Sequence, residues 1–169
     1  AGNTVVIKPA EDTPLSTLYF AKLAEEAGVP PGVVNVVTGF GETAGAALAR
    51  HPGLKRMSFT GSPEVGRLLA AACGRNLVPV QLELGGKGAG LVLSDANLDV
   101  AVGAITSVWS FHSGQICTAP TRAIVHSSRY DELVARLAAA APNLKVGDPT
   151  SLDTIVGPVI SAAPRHRIE

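Results

Sequence analysis

Short apolar runs alternate with stretches of helical spacing along the whole chain. "TVVIK" (Thr4–Lys8) is rich in β-branched residues and predicts a strand. Thr13 and Pro14 then predict a helix start, with the hydroxyl as cap and the proline in the first turn. Leu15, Leu18, Tyr19 and Leu23 recur at helical spacing, and Gly28 ends the element. "GVVNVVT" (Gly32–Thr38) predicts the next strand, and "GFGETAGAALAR" a glycine-rich turn into a helix of small residues. "RMSFTG" (Arg56–Gly61) predicts a strand, followed by a helix with Ser62 as cap and Pro63 first. Strands follow at Val78–Leu84 and Gly90–Leu93, and a helix at Asn97–Trp109. "FHSGQIC" has no period and predicts a loop; Arg122–His126 predicts a strand, and "SRYDELVARLAAAA" a helix.

Strands alternating with helices predict an α/β fold with a parallel sheet of βαβ units. Ligands of such sheets bind where strands end. Here those ends carry Lys8, Gly39–Gly41, Gly61–Ser62 and Glu83–Gly85. The double glycine Gly85–Gly86 is the expected boundary, dividing the chain into 1–85 and 86–169. A composition that is 46% hydrophobic and 17% charged excludes a disordered solvating chain and predicts strands buried on both faces. Fourteen basic and fourteen acidic residues cancel, so nothing favours nucleic acid as a partner. No apolar run has the length of a membrane span, and the opening residues predict no signal peptide. Cys73 and Cys117 could form one disulfide, but nothing else suggests a secreted scaffold, so both are expected as reduced thiols in a cytoplasmic protein. A strand at the very start and a helix beginning at the very end are what a piece of a longer chain would show.

Several groups invite chemistry. Glu83 puts a carboxylate in "LELGGK", where an apolar strand ends; burying it unpaired would be costly, so it should be paired or have a task. "GSPEVG" sets Gly61 and Gly66 around a helix start directly after a strand, an arrangement that suits an anion but serves equally as a plain turn. "KPAE" places Glu11 three residues after Lys8. That carboxylate could accept ribose hydroxyls, although a surface lysine and an acid near a helix start is the simpler reading of these residues alone. Cys117, in "GQICTAP", lies off any apolar periodic face; thiolates are strong nucleophiles, yet cysteine is also commonly buried. Cys73 fits burial. None of the four histidines pairs with a cysteine at metal-ligand spacing, so no metal site is expected.

"IKPAEDTPLS", "FTGSPEVG", "LELGGK" and "GQICTA" occur in that order, with Cys117 following Glu83 by 34 positions. Together they closely resemble the aldehyde dehydrogenase superfamily, over essentially the whole chain. The resemblance implies a Rossmann-like sheet, the second half of a cofactor domain, followed by the first part of an α/β catalytic domain. It implies Cys117 as nucleophile and Glu83 as general base. Lys8 and Glu11 would hold the adenosine ribose, and Gly61, Ser62 and Gly66 would face the pyrophosphate. Phe59, Gly41, Gly45 and Val65 would lie around the adenine and phosphates, and Leu84 and Gly85 near the nicotinamide. Phe111, Ile116 and Thr118 would line the substrate tunnel.

The implied activity is oxidation of a small-molecule aldehyde to an acid through a cysteine thiohemiacetal and thioester. NAD is the expected cofactor, with NADP as the alternative, because Glu11 should repel a 2′-phosphate. A homodimer or homotetramer is the implied assembly. A coenzyme A-acylating semialdehyde dehydrogenase and a non-catalytic structural relative are the competing readings. The family's oxyanion asparagine would precede Ala1, and its nicotinamide-gripping glutamate and phenylalanine would follow Glu169, so the chain alone is expected to show little activity. His112 stands where the family often has asparagine, which leaves the hydrogen bonding of its loop open.

Overall fold

The computed structural model describes residues 2–169. The chain forms two compact units, Ala1–Glu83 and Leu84–Glu169. In the first, β1 (Val5–Ile7) pairs in parallel with β2 (Val34–Val36), with Val5 opposite Val34 and Ile7 opposite Val36. Parallel strands need a crossover, and α1 (Leu15–Glu26) supplies it. Thr13 does not cap this helix. Pro14 occupies the cap position with helical dihedrals already (φ −80°, ψ −24°), and no side chain bonds there. Pro14 carries the first helical carbonyl, which accepts from Leu18 N–H at 3.0 Å. At the other end Gly28 takes φ +88°, and the N–H groups of Gly28 and Val29 bond back to Glu25 and Ala24.

Next in this unit come α2 (Ala46–Arg50), β3 (Met57–Gly61), α3 (Pro63–Arg75) and β4 (Val80–Leu84), with β3 and β4 hydrogen-bonded as a second pair. Ser62 caps α3 as expected, its Oγ accepting from Val65 N–H at 3.2 Å, with Pro63 in the first turn. Ala49, Met57, Cys73 and Val78 form the buried core, with Leu48, Leu54 and Leu69 packed around it.

In the second unit β5 (Gly88–Val92) pairs in parallel with β6 (Pro120–Val125) across α4 (Leu98–Ser110). Asn97 starts α4 by accepting from the N–H groups of Asp99 and Val100. Next come α5 (Ser127–Ala140) and, after an irregular stretch, α6 (Ala162–Ile168). Val92, Leu98 and Leu133 make the core, with Ile105, Val125 and Leu137 packed against it.

The α/β fold with parallel pairing is as expected, and among the described residues its strands hydrogen-bond as three two-stranded pairs. One expectation changes. The strands are not buried on both faces: in β4, Val80, Leu82 and Leu84 are half-buried while Gln81 and Glu83 are exposed. A strand packed on one face alternates, and "VQLEL" has that period of two. Glu83 therefore stands outside the apolar layer without any burial penalty. Among the described residues no helix is long and apolar enough to cross a membrane.

Leu133 is 1% exposed and joins α5 to the second core. Leu133→Ala should destabilise the folded protein by about 2–5 kcal/mol, read by urea unfolding. A loss below about 0.5 kcal/mol would show that the core does not depend on this contact.

Candidate active site

In the first unit the chain turns after β1 so that Lys8 and Glu11 meet. Lys8 Nζ donates to Glu11 Oε1 at 2.8 Å. The lysine side chain is mostly covered and the glutamate is more open. The hydrogen bond from Lys8 is the largest cause holding the Glu11 carboxyl below the ordinary glutamate value, helped by the backbone N–H groups of Glu11 and Gly41 and by the lysine charge.

After β2 the chain returns to the same place. Gly39 takes φ +143°, where a Cβ would come within 2.9 Å of Ala44 Cβ, so the turn requires glycine. A five-residue π-helical turn, Gly41–Gly45, leads into α2. A Cβ on Gly41 would lie 3.8 Å from Glu11 Oε1, and one on Gly45 would lie 3.6 Å from Lys8 Cδ. Lys8, Glu11, Gly41 and Gly45, far apart in sequence, therefore form one surface. Parallel pairing of β1 with β2 explains this, because it sets both strand ends on the same side.

At the end of β3 a side chain on Gly61 would overlap the Phe59 ring, which lies on the same face two residues earlier. Phe59 is half-buried; Ser62 and Val65 are exposed, and Gly66 is buried in α3. Because Ser62 Oγ acts as acceptor to Val65, its hydroxyl hydrogen remains free for an outside acceptor. At the end of β4 come Glu83, exposed, Leu84, half-buried, and Gly85, exposed. A Cβ on Gly85 or Gly86 would meet nothing within 4 Å, and neither has a positive φ, so no local turn requires these glycines.

In the second unit the loop after α4 carries Cys117. It begins with Phe111, whose ring meets His112 edge-on at 4.2 Å. Cys117 and Thr118 are exposed, and Ile116 is half-buried. Both cysteines are free thiols. Cys73 lies within the first core, where burial pushes its thiol up. The Cys117 N–H donates to no acceptor among the described residues. His112 and Ser113 adopt left-handed backbone, φ 48° and 55°. Histidine is among the non-glycine residues enriched in that region, so it suits this position. The loop's bonds use the His112 carbonyl, not its ring: Gln115 donates to it through both its backbone N–H and its Nε2 at 3.0 Å. Ser113 and Gln115 also reach Gly157 and Ile160, more than 40 residues away, a contact that no local pattern announces. Among the described residues no three His, Cys, Asp or Glu side chains gather as a metal site.

The profile of the aldehyde dehydrogenase family matches residues 1–169. The chain is 50% identical over 161 residues to the phenylacetaldehyde dehydrogenase of Pseudomonas fluorescens, covering 95% of this chain and 32% of that protein. It is 49% identical over 168 residues to human retinal dehydrogenase 2, covering 99% of this chain and 32% of that one. Its fold matches PnpE, a protein of Pseudomonas sp. WBC-3 solved in complex with nicotinamide adenine dinucleotide. That match has a TM-score of 0.91 at 47% identity, covering 99% of this chain and 34% of the other. The chain belongs to the aldehyde dehydrogenase family and spans about a third of the length of the relatives it matches.

Two measurements follow from this geometry. Glu11 should titrate below an ordinary glutamate, so its ion pair with Lys8 persists at neutral pH and is lost only as pH falls through that lowered value. Lys8→Met should move the midpoint back up, as followed by NMR; an unmoved midpoint would remove Lys8 as the cause. Iodoacetamide should label Cys117 well before Cys73, read by peptide mass spectrometry. Equal slow labelling of both would argue against a reactive Cys117.

Proposed function

We propose that the protein carrying this chain oxidises an aldehyde to the carboxylic acid with NAD, using Cys117 as nucleophile and Glu83 as general base. The observation that carries this reading is the exposed, unpaired Cys117 on a loop with a free N–H, in a chain of this family. The Cys117 thiolate adds to the aldehyde carbon, and the carbonyl oxygen becomes an oxyanion. The Cys117 N–H is a ready donor to that oxygen. The nicotinamide, when bound, supplies the hydride acceptor for oxidation of this adduct to the thioester. Glu83, solvent-facing at the end of β4, then takes a proton from the water that attacks the thioester, and the thiolate leaves.

The residues present fit the cofactor. The Glu11 carboxylate can accept from a ribose diol, and Lys8 can donate to it. Ser62 offers a free hydroxyl hydrogen at the start of α3, where an anion is also favoured by the helix dipole. Phe59, Gly61, Val65 and Gly66 shape that strand-to-helix turn. Leu84 and Gly85 form the approach to the nicotinamide, and the open space over Gly85 leaves room for a flat ring. An ionised Glu11 disfavours a 2′-phosphate, which supports NAD over NADP. Residues 1–85 are the cofactor part and 86–169 the nucleophile part. Ile116 and Thr118, the sequence neighbours of the thiol, and Phe111 at the start of the same loop are the candidates for the substrate side. The same reading covers a small-molecule aldehyde substrate, a homodimer or homotetramer, and a cytoplasmic setting, which the two unpaired cysteines support.

The test uses the full-length protein and aldehyde-dependent NADH formation. Cys117→Ala should lower kcat by about 10⁴-fold or more, and an active Cys117→Ala would remove the nucleophile. Glu83→Gln should preserve a rapid first turnover and slow the steady state by roughly 10²–10⁴-fold. An unchanged steady state would take the base role from Glu83. Free acid as the product identifies water as acyl acceptor; acyl-coenzyme A would overturn that step.

A further inference from the structure

The loop that presents Cys117 holds three successive left-handed residues, His112 (φ 48°), Ser113 (φ 55°) and Gly114 (φ 76°). Two of them carry a Cβ, which that region disfavours, so the conformation persists only where its surroundings over-determine it. The structure shows what does so. Ser113 Oγ donates to the Gly157 carbonyl at 2.8 Å. Gln115 bonds at both ends of its amide: Nε2 donates to the His112 carbonyl at 3.0 Å, and Oε1 accepts from Ile160 N–H at 3.2 Å. A flipped amide would set oxygen against carbonyl and NH₂ against N–H, so one orientation satisfies both contacts.

The segment on the far side is itself anchored. Val156 forms a parallel bridge with Val146, and it exchanges bonds with Lys145 and Gly147 at 3.0 and 3.1 Å. That stretch closely follows α5, whose Leu133 is in the core. The loop is thus fastened to residues 157–160, which continue the segment bridged to residues 145–147.

We infer that Gln115 and Ser113 are positioning residues, fastening the loop to Gly157–Ile160 so that the Cys117 Sγ and N–H keep one geometry toward the aldehyde. The inference rests on Cys117 being the nucleophile. Neither side chain reaches the reacting atoms. Each acts through the backbone, and a small displacement of a reacting group slows chemistry strongly.

The experiment compares Gln115→Ala, Gln115→Glu and Ser113→Gly in the full-length enzyme. Ser113→Gly deletes the hydroxyl while keeping the left-handed backbone easy to adopt. Gln115→Glu keeps an acceptor for Ile160 but sets a second acceptor against the His112 carbonyl. All three should lower kcat, Gln115→Ala by about 100-fold. The KM for NAD should stay within about twofold, because uniform binding of the cofactor is not what these residues supply. Iodoacetamide labelling of Cys117 should stay within about threefold of the parent rate, because the thiol remains exposed. Should Gln115→Ala fail to fold, the other two variants decide. Parent-like kcat in Ser113→Gly and Gln115→Glu overturns the proposal. So does a kcat loss matched by an equal rise in the KM for NAD, the mark of a general structural defect. Cys117→Ala in parallel separates the two levels: if it is active the nucleophile is misassigned, and if it is dead while the loop variants are fully active, only the positioning role fails.

Discussion

Parallel pairing of short strands is the constraint on which the rest depends. Two parallel strands cannot be joined by a tight turn, so each pair needs a crossover, and both strands end on the same side. In β1 and β2 this brings Lys8 and the turn at Gly41–Gly45 together, although more than thirty residues separate them. In β5 and β6 the crossover is α4, and the loop that returns from it carries Cys117. The pairing is thus the common origin of the Lys8–Glu11 surface in one unit and the Cys117 loop in the other.

Each unit meets its polar requirements locally. Glu11 is answered by Lys8 at 2.8 Å, and that hydrogen bond is the main cause holding its carboxyl below the ordinary glutamate value. Glu83 needs no partner, because the alternation of β4 sets it outward. Cys73 and Cys117 show how one residue type divides: a thiol in the core is hindered by burial, whereas one on a polar loop is accessible. The left-handed run beside Cys117 is a local strain, and three side-chain hydrogen bonds hold it.

Much was legible in the residues themselves. Ser62 and Pro63 announced α3, and Gly28 announced the end of α1, because caps are chemistry between neighbours. Thr13 misled, since a helical Pro14 had already taken the cap position. The expectation of doubly buried strands also misled. Average hydropathy counts apolar residues without saying how they are distributed, and the period of two in "VQLEL" was the better guide.

By itself the sequence determined the family, the order of strands and helices, and which residue types carry charge and nucleophilicity, because these depend on short motifs and local spacing. Tertiary structure alone decided that Gly41 and Gly45 flank the Lys8–Glu11 pair, and that Phe59 occupies the space a side chain on Gly61 would need. It also decided that Ser113 and Gln115 bond to Gly157 and Ile160. The Phe59–Gly61 contact is settled by a rotamer within one strand. In the other cases the residues are distant, so the contact depends on where the backbone returns, and no local period of the chain encodes that return.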